Sequence, residues 1–510
     1  MSRLIGDISA DNARRYPLKN ALVDADRTHT WEQVEDRALR VAAHFGRRFS
    51  PGDRVLVIAR NCIEWPEISF GLAKAGLVAV PVNIRLAPDE LDHVRADSGA
   101  RAAVVHADPY DRFAAVLADL TVTVIGADYE QALAAAQPTA APVEISPDDV
   151  AVILYTSGTT GRAKGVMNTH RGLLAQAADT NLVTEANRSD VMLATTPFFT
   201  AGGMVRTVSW LYLGQTMFIH QRFDPQAVID EIERSAITFT TFIPTMLHRT
   251  LDILENGPVR DMSSLRRISY GSAPVPPGLA RRAMELLGCD LQQRYGLTEC
   301  GGQATILTPQ DHRDIVAGKS SIATSCGQET PMCAIRIVDV DGTVLPAGEI
   351  GEIVIDSPAN AVGYWNRPEQ TAQTFRPDGL RSGDLGYLDA ENYLHITGRK
   401  TDLIISGGFN VYPAEIERVI AHHAGVDMVA VVGVSDPEWG ETPVAVVIPK
   451  VAQDEYADLT DELAALCRAE LAGYKQPRRF VYRDEFPLGP AGKILKREIA
   501  RELQELPVAP

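Results

Sequence analysis

The sequence is poor in several features that would each indicate a specialised class of protein. Its 510 residues include only six cysteines, at positions 62, 289, 300, 326, 333 and 467, and no two form a C-x-x-C pair. That pattern fits neither a disulfide framework nor a zinc site, so reduced thiols are expected. Cations are also scarce: 49 Lys and Arg face 66 Asp and Glu, a net charge of −17. This balance argues against a general affinity for nucleic acid or anionic membranes.

Long apolar runs are missing as well. No stretch approaches the ~18 uninterrupted apolar residues of a membrane span, and the N-terminal segment MSRLIGDISADNARRYP lacks the apolar core of a signal peptide. We therefore expect a cytoplasmic location and no membrane insertion.

The length and the patterning indicate a multidomain α/β protein. A chain of 510 residues is longer than the size at which a single hydrophobic core stops growing, so at least two domains are expected. Strand and helix patterns alternate, which favours sheets covered by helices. In THTWEQVEDRALRVAAHF, Thr30 and Gln33 predict a capping box before a helix, and DRVLVI predicts a buried strand. The composition of the Ala/Pro-rich ALAAAQPTAAPVEIS suits a linker or a surface excursion rather than a helix or strand.

The C-terminal part differs from the rest of the chain in its pattern of predicted elements. MVAVVGV, PVAVVIP and RRFVYRD predict short strands, and DLTDELAALCRAELAGY predicts an amphipathic helix. We predict two domains, 1–397 and 398–510, joined near GRKTDLIISGG.

The segment YTSGTTGRAKGV, residues 155–166, combines glycines, hydroxyls and a lysine directly after an apolar strand pattern. Backbone N–H groups of such a turn converge on phosphate oxygens, so a nucleotide phosphate is the expected ligand. The P-loop fingerprint does not match, because Gly161 is followed by Arg162-Ala163-Lys164-Gly165. GPAGKI near the C-terminus also fails, since only two residues separate Gly489 from Gly492.

Further motifs accompany this loop in a fixed order. They are YGSAP at 270–274, YGLTE at 295–299, RSGDLG at 381–386, GRKTDLIISGGFNVYPAEIE at 398–417 and PAGKILKRE at 490–498. Together they resemble the adenylate-forming superfamily, in its acyl-CoA synthetase and aryl-CoA ligase branch. The resemblance implies a large multi-layered N-terminal domain with the ATP and acyl pockets, and a small mobile C-terminal domain carrying a catalytic lysine and the CoA tunnel.

The resemblance also implies an activity. An ATP-dependent acyl-CoA ligase converts a carboxylic acid to acyl-AMP with release of pyrophosphate, then transfers the acyl group to CoA; Mg²⁺ accompanies ATP. The apolar residues of the expected pocket favour a medium-chain, alicyclic or aromatic monocarboxylate. Two alternatives stay open: an adenylating enzyme that loads a carrier protein or releases the adenylate, and a nucleotide-binding protein without chemistry. Related enzymes commonly form homodimers, and no nucleic-acid partner is expected.

Carried over by position, the resemblance assigns the adenylation site. Each of these residues, taken alone, has a commoner interpretation as a turn residue or a solvated surface charge. Lys493 would reach the carboxylate and the α-phosphate, Thr298 the α-phosphate, and Glu299 would bind Mg²⁺. The polyphosphate set is Thr156, Ser157, Gly158, Thr159, Thr160 and Lys164. The adenosine set is Gly271, Ala273, Pro274, Tyr295, Asp384 and Arg399.

The remaining assignments concern the acid, CoA and the hinge. Two positions depart from common family patterns: Thr200 replaces a histidine, and Thr401 at the hinge replaces Asp or Lys. Arg206 and His248 are candidates to anchor a second polar group of the acid. The acyl pocket set is Phe198, Phe199, Thr200, Gly202, Gly203, Met204, Thr245, Gly296, Gly301 and Gly302. The CoA set is Gly407, Gly408, Trp439 and Tyr474.

Overall fold

The computed structural model describes residues 4–138, 143–156, 162–271, 275–488 and 494–505. Seven predicted site residues lie outside these ranges: Ser157, Gly158, Thr159, Thr160, Ala273, Pro274 and Lys493. The chain divides into two compact units. The first comprises Met1–Arg336, Val354–Ser382 and Glu391–Leu394, and the second Ile337–Ile353, Gly383–Ala390 and His395–Pro510. The domain boundary at 397/398 stays a prediction.

The first unit contains a six-stranded sheet in the order β6-β5-β3-β4-β7-β8. The strand pairs are parallel except β7–β8, which is antiparallel. Parallel strands buried on both faces read as continuous apolar runs, and the predicted strand in DRVLVI is confirmed as β3. The bounds are β3 Arg54–Ile58, β4 Val78–Pro81, β5 Ala102–His106, β6 Thr121–Ile125, β7 Val150–Thr156 and β8 Lys164–Thr169.

The same unit contains a nine-stranded sheet in the order β15-β14-β13-β12-β11-β9-β10-β1-β2. Its central strands are parallel, and β13, β14 and β15 pair antiparallel at one edge. The bounds are β1 Asn20–Val23, β2 Thr28–Thr30, β9 Val191–Ala194, β10 Thr216–Ile219, β11 Phe239–Phe242, β12 Arg267–Gly271, β13 Asp290–Tyr295, β14 Thr305–Leu307 and β15 Gln328–Glu329.

Thirteen α-helices of the described residues belong to this unit. Thr30 accepts from the backbone of Gln33 and Gln33 bonds back to Thr30, so the predicted capping box is confirmed. The linker prediction is wrong at its start, because four of its residues, 132–135, end a helix. The bounds are α1 Asp7–Arg15, α2 Trp31–Gly46, α3 Glu64–Lys74, α4 Pro88–Ser98, α5 Ala107–Leu117, α6 Ala127–Ala135, α7 His170–Val183, α8 Ala201–Leu211, α9 Pro225–Ser235, α10 Pro244–Asn256, α11 Pro277–Leu287, α12 Pro309–Val316 and α13 Pro368–Thr374.

A third sheet has the order β16-β17-β19-β18, with β20 beside β19. The chain passes from one unit to the other within several of these strands. The bounds are β16 Ala334–Val338, β17 Gly351–Asp356, β18 Phe375–Arg376, β19 Gly379–Leu388 and β20 Leu394–Arg399.

The second unit is built on a five-stranded sheet, β22-β21-β24-β23 with β25 beside β24. The three strands and the helix predicted for the C-terminal part are confirmed as β23, β24, β25 and α15. No helix among the described residues is long and apolar enough to cross a membrane. The bounds are β21 Ile404–Ser406, β22 Phe409–Val411, β23 Val426–Asp436, β24 Gly440–Pro449, β25 Arg479–Tyr482, α14 Pro413–Ala421, α15 Tyr456–Glu470 and α16 Lys496–Glu505.

Candidate active site

The glycine-rich loop connects the antiparallel strands β7 and β8. Thr156 pairs with Lys164 at the last position of the ladder, so the loop leaves and re-enters the sheet at neighbouring points. A Cβ on Gly165 would lie 2.6 Å from Ile153 Cγ2, which explains a glycine inside this strand. The hairpin therefore fixes both ends of the predicted phosphate loop, although residues 157–161 lie outside the described ranges.

A second segment, 361–365, runs along the other edge of β8. Val362 N donates to Met167 O at 3.0 Å, and Met167 N donates to Gly363 O at 3.0 Å. Trp365 N donates to Gly165 O at 2.8 Å. We call residues 361–365 the brace, because they extend the ladder beside the loop and hold β8 from the side away from β7.

The brace places Tyr364 between two predicted site residues. Lys164 Nζ lies 5.3 Å from the centroid of the Tyr364 ring, within cation–π range. The Tyr364 hydroxyl donates to Glu299 Oε1 at 2.9 Å. The ring is 9% exposed and packs edge-on against Phe375 at 5.3 Å. The phosphate-loop lysine and the predicted metal carboxylate thus meet at one tyrosine, which the sequence analysis missed.

Glu299 lies in a short 3-10 helix, Thr298–Cys300, that follows β13. Ala361 N of the brace donates to Glu299 O at 2.8 Å, and Gly301 ends the turn with φ +74°. A Cβ on Gly296 would lie 2.6 Å from Gln303 N, so this position accepts only glycine. Thr298 and Glu299 are both half-buried.

The side chains fit a magnesium ion shared with a phosphate rather than a closed metal site. Among the described residues, no group of three His, Cys, Asp or Glu side chains could hold a metal. Mg²⁺ commonly takes one or two carboxylates together with substrate phosphate oxygens and water. The Glu299 carboxylate, which accepts from the Tyr364 hydroxyl, has the chemistry of such a ligand, and its role in binding Mg²⁺ stays a prediction.

The adenine side of the predicted site lies at the ends of β12 and β13. Gly271 is paired with Arg294, and a Cβ on Gly271 would lie 3.0 Å from Arg294 O. Tyr295 ends β13, one residue before Gly296. Ala273 and Pro274 lie outside the described residues, so their predicted contacts with adenine stay predictions.

Thr200 has a clear local role in the predicted acyl region. Its hydroxyl accepts from Gly203 N at 3.1 Å and donates to Pro197 O at 2.8 Å, which makes it the N-cap of α8. A Cβ on Gly203 would clash with Pro197 O, so that glycine is required by the same turn. Thr200, at the position where the family commonly has a histidine, therefore stabilises the start of the helix.

The other predicted pocket residues fall into two groups. Phe198 and Met204 are 2% and 1% exposed and belong to the core cluster of the first unit. Phe199, Gly202 and Gly302 retain accessible surface, whereas Gly301 is buried. A Cβ on Gly302 would meet no atom within 4 Å, and one on Gly301 would lie 3.0 Å from Gln176 Oε1. Thr245 is exposed on the first turn of α10, and the exposed His248 pairs with Asp252 at 2.8 Å. Their roles in acid binding stay predictions.

Asp384 and Arg399 lie together in the second unit. Arg399 Nε is 2.6 Å from Asp384 Oδ1, and the Asp384 side chain is buried. The pair predicted to serve the ribose hydroxyls is thus brought into contact. Thr401 is exposed in the short 3-10 helix Lys400–Asp402, and its hydroxyl donates to Asp402 Oδ1 at 3.1 Å.

The predicted CoA residues form an aromatic surface on the second unit. Gly407 has φ +57°, and a Cβ there would lie 2.7 Å from Trp439 Cε3. Gly407 N donates to Trp439 O at 2.8 Å, and the Arg478 guanidinium lies 5.2 Å from the indole centroid. The next residue, Gly408, has φ +81° and open space at its Cβ position.

The other predicted aromatic residue of this surface is Tyr474. Phe409 follows Gly408, is 56% exposed, and stacks on Tyr474 with 4.7 Å between centroids. The exposed Phe409 and the half-buried Tyr474, beside two glycines, form a surface that a thiol-bearing arm could approach along the backbone.

The fold and the arrangement of these side chains define an AMP-binding enzyme. The model of the AMP-binding enzyme family matches residues 9–365, and that of the AMP-binding enzyme C-terminal domain matches residues 415–493. The chain therefore belongs to the adenylate-forming superfamily, in its acyl-CoA synthetase branch. It is an enzyme of the AMP-forming acid–thiol ligase class.

Individual relatives agree along nearly the whole chain. Feruloyl-CoA synthase from Amycolatopsis sp is 36% identical, with 98% of each chain covered. The fatty acid–[acyl-carrier-protein] ligase ScoC from Streptomyces coeruleorubidus is 34% identical over 96% of this chain and 94% of that protein. The crystal structure of ATP-bound MatB from Rhodopseudomonas palustris is 29% identical, covers 99% of both chains, and has a TM-score of 0.87.

Proposed function

We propose that the protein is an ATP-dependent acyl-CoA ligase that works in two half-reactions. In the first, a carboxylate oxygen attacks the α-phosphorus of ATP, the bond to the β-phosphate oxygen breaks, and pyrophosphate leaves. In the second, the sulfur of CoA attacks the acyl carbonyl, AMP leaves, and the thiol proton is released. The observation that carries the proposal is the contact of Tyr364 with both Lys164 and Glu299.

Adenylation requires that two anions be brought together and that charge on the α-phosphoryl group be stabilised. Positioned cations and hydrogen-bond donors supply most of such catalysis. Lys164 and the loop 156–160 are proposed to hold the β- and γ-phosphates, and Thr298 the α-phosphate. Mg²⁺, held by Glu299, would neutralise phosphate charge. Lys493 is proposed to stabilise the developing charge on the α-phosphoryl group.

The second half-reaction needs a path for the pantetheine thiol. We assign it to the glycines Gly407 and Gly408 and to the aromatic surface of Trp439 and Tyr474. Gly408 supports this role, because its backbone has no side chain and faces open space. A thiol arm can therefore approach the chain closely there.

Two kinds of acceptor are consistent with the relatives. Feruloyl-CoA synthase is named for CoA, whereas ScoC is named for an acyl carrier protein. We favour CoA because this chain presents the aromatic surface described above. A carrier-protein ligase is the alternative function, and the cytoplasmic location and the homodimer stay predictions.

One assay separates the candidates. Pyrophosphate and AMP are measured from ATP with a panel of acids, with no acceptor, with CoA and with a phosphopantetheinylated carrier protein. We expect AMP formation that depends on both acid and CoA. Turnover only with the carrier protein would favour the alternative, and no pyrophosphate under any condition would overturn the proposed ligase.

A further inference from the structure

Two arginines of the first unit have no anionic partner among the described residues. Arg294, on β13, is 6% exposed, and its Nε and Nη2 are buried without any hydrogen bond. Arg206, on α8, is half-buried and likewise has neither a hydrogen bond nor an ion pair with a described residue. Buried arginines are normally paired, because an uncompensated charge away from water is costly.

The charges that face Arg294 leave this region with an excess of positive charge. Burial first, and then repulsion from Arg206, hold the pKa of Arg294 far below its usual range. Burial also lowers the pKa of Arg206 to about 10. The other charges that face Arg294 are Arg267 and Asp179.

Neither of these neighbours cancels the excess. Arg267 already pairs with Glu185 at 3.3 Å and with Asp290 at 3.6 Å. Asp179 accepts from Gln303 Nε2 at 3.3 Å and from Met332 N at 3.2 Å. Asp179 is therefore occupied by neutral donors and forms no ion pair with either of the two arginines.

The surface beside Arg294 is polar and incompletely bonded. Arg294 lies two residues along β13 from Gln292, whose strand partner Ser269 is in turn paired with Thr241 of β11. Alternation along strands places these side chains on one face of the sheet. Thr241 Oγ1, Ser269 Oγ and Gln292 Oε1 are all buried without a hydrogen-bond partner. Gly271, paired with Arg294, adds no side chain to this face.

This polar face adjoins the predicted acyl region. Arg206 lies on the helix that begins at the Thr200 cap, and Arg294 precedes Tyr295 and Gly296 at the end of β13. We propose that the acid activated by this protein carries a second, distal anionic group, most simply a second carboxylate, and that Arg206 and Arg294 bind it. The inference rests on the proposed ligase function and replaces the sequence-based expectation of a monocarboxylate.

Guanidinium chemistry explains why two arginines would select such an acid. Arginine donates parallel N–H bonds to a carboxylate, which gives geometric specificity as well as affinity. An acid without the second charge would leave both guanidinium groups unpaired, and a site built for a polar group rejects analogues that lack it. The apolar residues near the pocket can still contact the body of the acid.

The experiment compares dicarboxylic acids with their monomethyl esters. Linear α,ω-dicarboxylic acids from malonic to sebacic, together with the benzenedicarboxylic acids, are each paired with the half ester, and pyrophosphate release is measured. We expect kcat/KM to be at least ~10²-fold higher for the best diacid than for its ester, the scale of a buried charge pair. Arg294→Met and Arg206→Met should each lower the diacid value ~10²-fold, chiefly through KM, and leave the ester unaffected or improved.

The control variant is Arg249→Met, at an exposed arginine of α10 that forms no ion pair with any residue the structure describes. It should change neither substrate series. Arg294→Lys should recover part of the diacid activity. Equal loss with diacids and esters, together with a lower melting temperature, would assign the arginines a structural role and overturn the inference. Activity only with acids that have an uncharged tail would overturn the inference but not the proposed ligase function. No pyrophosphate release with any acid would overturn both.

Discussion

The Tyr364 hydroxyl lies 2.9 Å from Glu299 Oε1, so an aromatic residue outside every recognised motif holds the carboxylate proposed to bind Mg²⁺. The same ring lies within 5.3 Å of Lys164 Nζ. The Tyr364 side chain therefore links Lys164, at the end of the phosphate loop, to the turn that carries Glu299. Its removal should affect the use of MgATP more than the fold.

Tyr364→Phe keeps the ring, its packing on Phe375 and its contact with Lys164, and removes only the hydroxyl. Because hydrogen bonds to charged groups contribute more than neutral ones, we expect kcat/KM for MgATP to fall ~10-fold. Pyrophosphate release is measured as free Mg²⁺ is varied. Tyr110→Phe, at a half-buried tyrosine of α5, is the control, and an equal response of the two variants would separate Tyr364 from the metal.

Glu299→Gln retains the shape of the side chain and removes its charge. We expect adenylation to fall ~10²-fold or more at limiting Mg²⁺, since a neutral amide is a weak ligand for a hard cation. Glu285→Gln, at an exposed glutamate of α11, should behave as wild type. Unchanged pyrophosphate release by Glu299→Gln would remove this residue from the site.

Gly302→Leu adds bulk where the acyl tail is proposed to lie. The position has φ +92° and open space around its Cβ, so the substitution carries backbone strain as well as volume. Gly318→Leu is the matched control, because Gly318 has φ +107° and open space elsewhere in the same unit. Relative to that control, we expect large acids to lose more activity than short ones. An unchanged order of preference across acids would contradict the pocket assignment.

Lys493→Ala and Gly408→Leu should fail in opposite assays. Loss of the lysine removes charge stabilisation in adenylation, and ~10²–10³-fold is the scale for one preorganised donor. Gly408→Leu should obstruct the thiol path, so acyl-adenylate forms but its conversion to thioester slows. Pyrophosphate release without CoA and thioester formation from supplied acyl-adenylate are measured on both variants.

The matched control for strain at Gly408 is Gly348→Leu, since Gly348 has φ +86° and open space in the same unit. Equal losses by Lys493→Ala in the two assays would rule out a lysine needed only for adenylation. Normal thioester formation by Gly408→Leu would remove this glycine from the tunnel.

His170 should make the stability of the protein depend on pH. Burial lowers the pKa of His170 to about 4, and its Nδ1 accepts from Ile5 N at 3.3 Å, which requires the neutral ring. Because the unfolded chain binds the proton near pH 6.5, stability falls as pH drops from about 6.5 towards 4, by roughly 2 kcal/mol at pH 5. Urea midpoints at pH 7 and pH 5 measure this loss.

His170→Asn retains an acceptor but does not titrate, so its urea midpoint should fall less between pH 7 and pH 5 than that of the wild type. His422→Asn, at an exposed histidine, should fall as much as the wild type. An identical fall in all three proteins would show that His170 is not the group responsible.

The sequence predicted the principal elements of the second unit and the order of the motifs, because glycine-rich turns and apolar strands are local signals. It did not predict Tyr364, whose role depends on the pairing of residue 364 with β8, a contact between distant parts of the chain. Nor could it show that Phe198 and Met204 are buried in the core cluster of the first unit, since an apolar residue gives the same sequence signal in a core and beside a substrate.

The unpaired arginines illustrate the same limit. Arg294 is adjacent to a recognised motif, but a sequence cannot show that no carboxylate reaches a given guanidinium. That property depends on side chains of β13, α7 and α8 taken together. The sequence made Arg206 a candidate anchor for a polar group of the acid. Only the burial of the two unpaired arginines in the structure indicates that this group is an anion.

The brace has a consequence for the synthesis of this protein. Gly165 and Trp365, which share a hydrogen bond, are roughly 200 residues apart in the sequence, and translation at about 5–20 residues per second separates their emergence by about 10–40 seconds. Throughout that interval the nascent chain carries the glycine-rich loop with one edge of β8 unpaired. Once the Glu299 turn has been made, it too lacks its contacts with the brace until residues 361–365 follow. The edge of β8 that adjoins the brace therefore stays unpaired until residues 361–365 have been made.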